Sequence, residues 1–101
     1  MKTLADLKRK IQIGTKLKLE HLQNAWSPPI RTVNFVGSTK FGCLTINKDG
    51  KEVTSYADYP KSSDLEILDD NTFIFHSMWY KDGKTERLPL LKYTIVNEVS
   101  L

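Results

Sequence analysis

Thr15-Lys16-Leu17-Lys18-Leu19-Glu20-His21 is the stretch that decides the fold. Leu17, Leu19 and His21 recur with a period of two, and Lys16, Lys18 and Glu20 fill the alternate places. A pleated strand puts such sets on opposite faces, whereas a helix mixes them. The spacing predicts a half-buried strand that rests one side on a core.

Upstream the period lengthens. Leu4, Leu7 and Ile11 form a helical stripe. Thr3 is an N-cap residue, and Asp6 stands three places on, where a capping-box acid belongs. Lys8, Arg9 and Lys10 fall at the carbonyl end, where cations suit the dipole. One helix is expected at about residues 3–12, ended before Gly14. Three turns are too few to be stable alone, so the stripe must dock.

Downstream the pattern stays β-like. Ser27-Pro28-Pro29 forces a loop. Residues 30–36 read as a strand with Val33 and Phe35 inward. Residues 41–46 put Phe41 and Cys43 on one face and Leu44 and Ile46 on the other, so this strand is either covered on both sides or bulged. Asn47-Lys48-Asp49-Gly50-Lys51 signals a hairpin, and Lys81-Asp82-Gly83-Lys84 signals a second one through shared turn chemistry. Between them lie a strand at 52–57, an irregular stretch at 57–64 broken by Pro60, a short strand at 65–68, an Asp69-Asp70-Asn71 turn, and a strand at 72–79 with Phe73 and Phe75 inward. Residues 85–96 follow, interrupted at Pro89, with Leu91, Tyr93 and Ile95 inward.

Short strands with regular turns and a single helix predict a mainly β fold. The expected architecture is a small SH3-like, partly open antiparallel β-barrel of six or seven strands, stoppered by the N-terminal helix. An OB-type barrel is the alternative. With 101 residues, 40% of them apolar, one domain over residues 1–101 is expected.

The single cysteine excludes a disulfide framework, and with two histidines it excludes a tetrahedral Cys/His zinc site unless carboxylates join. The purely apolar runs are too short to span a membrane. The polar, periodic start lacks the pattern of a secretory signal, so a cytoplasmic protein is expected. No phosphate loop, nucleophile elbow or paired-histidine helix occurs. Cys43 reads as a small apolar filler, His21 and His76 as strand histidines, and Asp64, Glu66, Asp69 and Asp70 as turn and surface acids. The expectation is a protein without enzymatic activity, cofactor or metal.

Residues 1–51 carry ten Lys/Arg against three Asp/Glu, and residues 52–101 carry five against nine. Such asymmetry suggests a basic N-terminal face able to attract an anion, or two surface halves that attract each other. Lys8, Arg9, Lys10, Lys16 and Lys18 are the candidate phosphate contacts. Trp26, Tyr56, Tyr59, Trp79 and Tyr80 fall in loops or at strand ends. They form either an aromatic rim, able to stack bases or receive a peptide, or caps over the open end of the core.

Several stretches also resemble one group of proteins: Thr3-Leu4-Ala5-Asp6-Leu7-Lys8-Arg9-Lys10, Gly14-Thr15-Lys16-Leu17, Tyr56-Ala57-Asp58-Tyr59-Pro60-Lys61-Ser62-Ser63-Asp64, Thr72-Phe73 and Tyr93-Thr94-Ile95. They are similar to short bacterial proteins often carried by phages and other mobile elements, a group to which no activity is attached. The resemblance covers most of the chain, carries over no functional residue, and implies contact with nucleic acid or a host protein. Two functions are therefore expected: a nucleic-acid-binding module using the basic face, or a protein- or peptide-binding module using the aromatic rim. Lys81, Lys84 and Pro89 read as edge protection, which predicts a monomer.

Overall fold

The computed structural model describes residues 1–24 and 27–96. The elements are α1 (Leu4–Lys10), β1 (Lys16–His21), β2 (Arg31–Val36), β3 (Lys40–Ile46), β4 (Glu52–Asp58), a 3-10 turn at Ser62–Asp64, β5 (Leu65–Ile67), β6 (Thr72–Lys81) and β7 (Lys84–Val96). The seven strands form one antiparallel sheet in the order β4-β3-β2-β1-β7-β6-β5. The mainly β reading with one N-terminal helix therefore holds.

The sheet curls strongly. Phe41 on β3 lies 6.4 Å from Phe75 on β6 and 5.8 Å from Tyr93 on β7, ring centre to ring centre. Four strand spacings separate β3 from β6, which in a flat sheet would be about 19 Å. The bend falls where pairing is thinnest: β1 and β2 share only the pairs Lys16–Thr32 and Leu17–Arg31. A β2-β3-β4 meander thus folds over a β1-β7-β6-β5 block, and one core fills the concave side. Leu17, Leu19, Val33, Phe41, Cys43, Phe73, Phe75, Tyr93 and Ile95 are all buried in it.

The sheet does not close into a barrel, and this corrects the SH3-like expectation and its OB-type alternative alike. Closure would need β4 to pair with β5. Instead the chain between them passes through Pro60, which has no N–H to donate, and the 3-10 turn, and the three-residue β5 pairs with β6. Closure of the core end falls to α1. Leu7 and Ile11 are fully buried, and Leu4 packs partly against the same cluster.

The capping box is formed. Thr3 Oγ1 accepts from the Asp6 N–H at 3.2 Å, and Asp6 Oδ2 accepts from the Thr3 N–H at 3.2 Å and the Lys2 N–H at 2.9 Å. The bond from the Lys2 N–H, helped by Thr3 and by the charge of Arg9, holds the Asp6 carboxyl below its ordinary value. Asp69, which accepts from the Asn71 N–H at 2.8 Å, is depressed chiefly by that bond. Depressed carboxylates stabilise the fold fully above their unfolded pKa, near 3.9, and that contribution is lost as pH falls through the folded values. The melting temperature should fall between about pH 5 and pH 2, and Asp6→Asn with Asp69→Asn should flatten the profile. An unchanged slope in the double variant would show that these caps do not set the acid response.

Two local readings are corrected by bulges. Val33 faces Cys43 but Phe35 faces Gly42, so Asn34 is an extra residue on β2. Val33 stays in the core while Phe35 turns outward at 38% exposure. On β7, Leu91 faces Phe75 and Pro89 faces His76, which leaves Leu90 as the extra residue. Pro89 therefore sits at a bulge, where the ladder is already disrupted, and the strand runs through it instead of stopping.

The repeated Lys-Asp-Gly-Lys string makes two different turns. Asp82 and Gly83 both have positive φ, at 53° and 77°, which is the two-residue type I′ pattern. In the first hairpin only Gly50 is left-handed, and Asn47 Oδ1 accepts from the Asp49 and Lys51 N–H groups at 2.9 and 3.0 Å. The asparagine side chain stabilises a longer loop there.

Candidate functional site

The five candidate phosphate contacts divide between α1 and β1. Lys8 Nζ donates to the Ser38 carbonyl at 3.0 Å and lies 5.2 Å from the Tyr59 ring centre. Lys10 Nζ donates to the Asp70 carbonyl, and Arg9 pairs with Asp6. The helix is thus tied to the β2–β3 turn by one lysine and to the β5–β6 turn by another, across the two blocks of the sheet. Lys16 and Lys18 occupy the alternate places of β1, away from Leu17 and Leu19, and Lys18 is exposed. Lys10 and Lys16 meet at one shallow groove of about 420 Å³ beside Gly14 and Val96.

The aromatic candidates pack on separate partners. Tyr56 is 55% exposed on the outer face of β4, and its ring meets Phe35 edge-on at 5.4 Å. Lys40 Nζ lies 4.5 Å from the same ring. Tyr59 leans on the core ring of Phe41 at 5.3 Å, and its buried hydroxyl has no partner among the described residues. Trp79 is half-buried against His21, with ring centres 5.6 Å apart. Tyr80 is 71% exposed near the tip of the β6–β7 hairpin. No ring contact joins any two of these four among the described residues, and Trp26 lies outside the described residues.

Sequence reading missed the surface that Tyr56 belongs to. Side chains of β3 and β4 alternate without a break, so Gly42, Leu44, Ile46, Thr54 and Tyr56 all face outward. The Asn34 bulge adds Phe35 to that face. Leu44 and Ile46 are 37% and 59% exposed, which makes four large apolar side chains side by side in water. Gly42 is buried beneath them because Phe35, Thr54 and Tyr56 close over its missing side chain. A Cβ there would lie 2.5 Å from Thr54 Cγ2 and 3.2 Å from both Phe35 Cβ and Tyr56 Cδ1. Aromatic neighbours covering a strand glycine restore the burial the glycine cannot supply. Gly42→Ala should therefore cost about 1–3 kcal/mol through overpacking, read as a shift of the urea midpoint. A neutral result would mean that Thr54 rotates away freely. The split of Leu44 and Ile46 from Phe41 and Cys43 was the available signal.

A cleft of about 590 Å³ is lined by residues of both blocks, among them Leu17, Leu19, Phe41, Cys43, Phe75 and Leu91. Its reactive groups are quiet. Burial pushes the Cys43 thiol up, against the opposing charge of Arg31, so it stays protonated. His76 is hydrogen-bonded to Glu66 at 2.9 Å, and Asp64 pairs with Arg87 at 2.5 Å. Among the described residues no group of three or more His, Cys, Asp or Glu could hold a metal ion. No described helix is long and apolar enough to cross a membrane. No protein-family model, curated protein or solved structure matches the chain.

Proposed function

We propose that this chain is a protein-binding module without enzymatic activity, and that its site is the outer face of β2, β3 and β4. The observation that carries this reading is the cluster of Phe35, Leu44, Ile46 and Tyr56, exposed on three adjacent strands that are stiffened from behind by the core. Contiguous apolar surface on a rigid sheet costs free energy in water and is used for docking. Aromatic anchors such as Tyr56 carry interface energy out of proportion to their number. The resemblance to mobile-element proteins implies nucleic acid or a host protein alike, and the apolar cluster favours the protein.

The nucleic-acid reading has weaker support. Phosphate binding draws its energy from cations free to replace counterions. Lys8, Lys10 and Arg9 already serve carbonyls and a carboxylate of this chain. Exposed Lys18 and the groove lined by Lys10 and Lys16 are what favours it.

The test is selection of binders from an unbiased displayed-peptide library, with a single-stranded oligonucleotide titrated in parallel at about 50 mM salt. Selected peptides should lose at least about tenfold in affinity to the Leu44→Lys, Ile46→Lys double variant. Its stability should stay within about 1–2 kcal/mol of the parent, because Ile46 is 59% exposed and a lysine stem at 44 keeps part of the contacts of Leu44, which is 37% exposed. Peptide affinity indifferent to that variant, or binding to the oligonucleotide alone, overturns the reading.

A further inference from the structure

We infer that β4 is a docking edge, and that the segment it takes is an extended strand from another protein with a cation at each end, six residues apart. This rests on the protein-binding reading and adds the mode of binding and the chemistry of the partner.

The hydrogen-bond register identifies the open groups. The Asn47 N–H donates to the Lys51 carbonyl at 2.9 Å, and the Tyr59 N–H donates to the Thr39 carbonyl at 2.9 Å. Both bonds belong to odd-numbered residues of the β3–β4 ladder, whose pairs run in step from Lys40–Asp58 to Ile46–Glu52. In an antiparallel pair alternate residues bond to opposite sides. The backbone groups of Val53, Ser55 and Ala57 therefore face β3, and those of Glu52, Thr54, Tyr56 and Asp58 face away. Among the described residues nothing lies beyond β4 in the sheet. Four N–H and four C=O groups are thus presented in line, on a strand with no proline, lysine or bulge to blunt it. Natural edges that must stay unpaired usually carry such devices. The side chains of the same four residues stand on the outer face, continuous with Phe35 and Leu44, so a strand added here lies against the apolar cluster.

Charge selects the occupant. Glu52 and Asp58 end the row, and neither forms an ion pair among the described residues: Lys40 stands opposite Asp58 in the ladder, but its Nζ lies over the Tyr56 ring, 4.5 Å from the centre. A second copy of this chain, in the register that pairs all eight groups, would set Glu52 against Asp58 of the other copy at both ends. Like charges directly opposite destabilise a strand pair. A strand with Lys or Arg opposite each carboxylate, and β-branched or aromatic residues opposite Thr54 and Tyr56, satisfies the backbone, the cluster and the charges together.

The probe is the acetylated, amidated heptapeptide Lys-Ser-Val-Thr-Val-Ser-Lys, titrated into the ¹⁵N-labelled chain up to the millimolar range. Amide exchange at Glu52, Thr54, Tyr56 and Asp58 should slow at least about tenfold on saturation, while Val53, Ser55 and Ala57 stay unchanged. The same peptide with Glu at both ends should bind roughly tenfold more weakly, and Glu52→Lys with Asp58→Asn, which sets no lysine against Lys40 in the ladder, should reverse the preference. Binding that shifts Phe35, Leu44 and Ile46 without new protection along β4 overturns strand addition and leaves the protein-binding face standing. Protection that grows with protein concentration in the absence of peptide makes a second copy the occupant and overturns the proposal, as does binding by neither peptide.

Discussion

Phe41→Ala should cost about 3–5 kcal/mol, the cost of truncating a buried aromatic ring. Phe41 is 1% exposed and is the ring through which the two blocks of the sheet touch, with Tyr59, Phe75 and Tyr93 around it. These neighbours come from separate parts of the chain, and strands fixed in their ladders cannot collapse freely into the void. For a domain this small the melting temperature should drop by roughly 12–40 °C. Against total stabilities of about 5–15 kcal/mol, a loss of that size removes a large fraction of what holds the fold. Urea titration followed by tryptophan fluorescence reads the effect. Phe35→Ala is the control, an equally large ring on the opposite face. It should cost no more than about 1–2 kcal/mol, from the lost Tyr56 contact and partial burial. Equal losses at the two positions would show that the curl is not held by its concave core.

Leu7→Ala should cost about 2–5 kcal/mol and melt the helix first. A helix of seven residues cannot sustain itself in water, so α1 exists because Leu7 and Ile11 are buried against the sheet. Once the stripe is weakened, little holds the helix. The ties from Lys8 to Ser38 and Lys10 to Asp70 are exposed bonds at the rim, and Lys8→Met or Lys10→Met should cost about 1 kcal/mol or less. Amide exchange at Leu7 and Ile11, whose N–H groups bond to the Thr3 and Leu7 carbonyls, should accelerate well before β1 or β7 opens. Comparable losses in the leucine and lysine variants would move the anchoring of α1 from its apolar stripe to its polar ties.

Much of the fold was legible because many signals are local. Thr3 and Asp6 mark the helix start, and the capping box is there. Leu17 and Leu19 alternate inward on β1, as do Phe73 and Phe75 on β6 and Tyr93 and Ile95 on β7. Gly50 and Gly83 mark the hairpins. The candidate site was less legible. Tyr56 stands out by its place near a strand end, but the alternation of β2 points Phe35 to the core, and that of β3 leaves two readings open for Leu44 and Ile46. Periodicity follows one strand at a time, whereas the bulge at Asn34 belongs to the pairing of β2 with β3. One extra residue in that ladder turns the following side chain over and completes an outward cluster that no single segment contains.

By itself, the sequence determined the elements, their polarity and which side of most of them is apolar, since backbone stereochemistry and side-chain spacing act within a few residues. Tertiary structure alone decided that the sheet curls without closing, that β4 stands at its edge, and that the helix lysines are turned onto backbone carbonyls. Those outcomes depend on contacts between residues tens of positions apart, whose geometry exists only once the chain has packed.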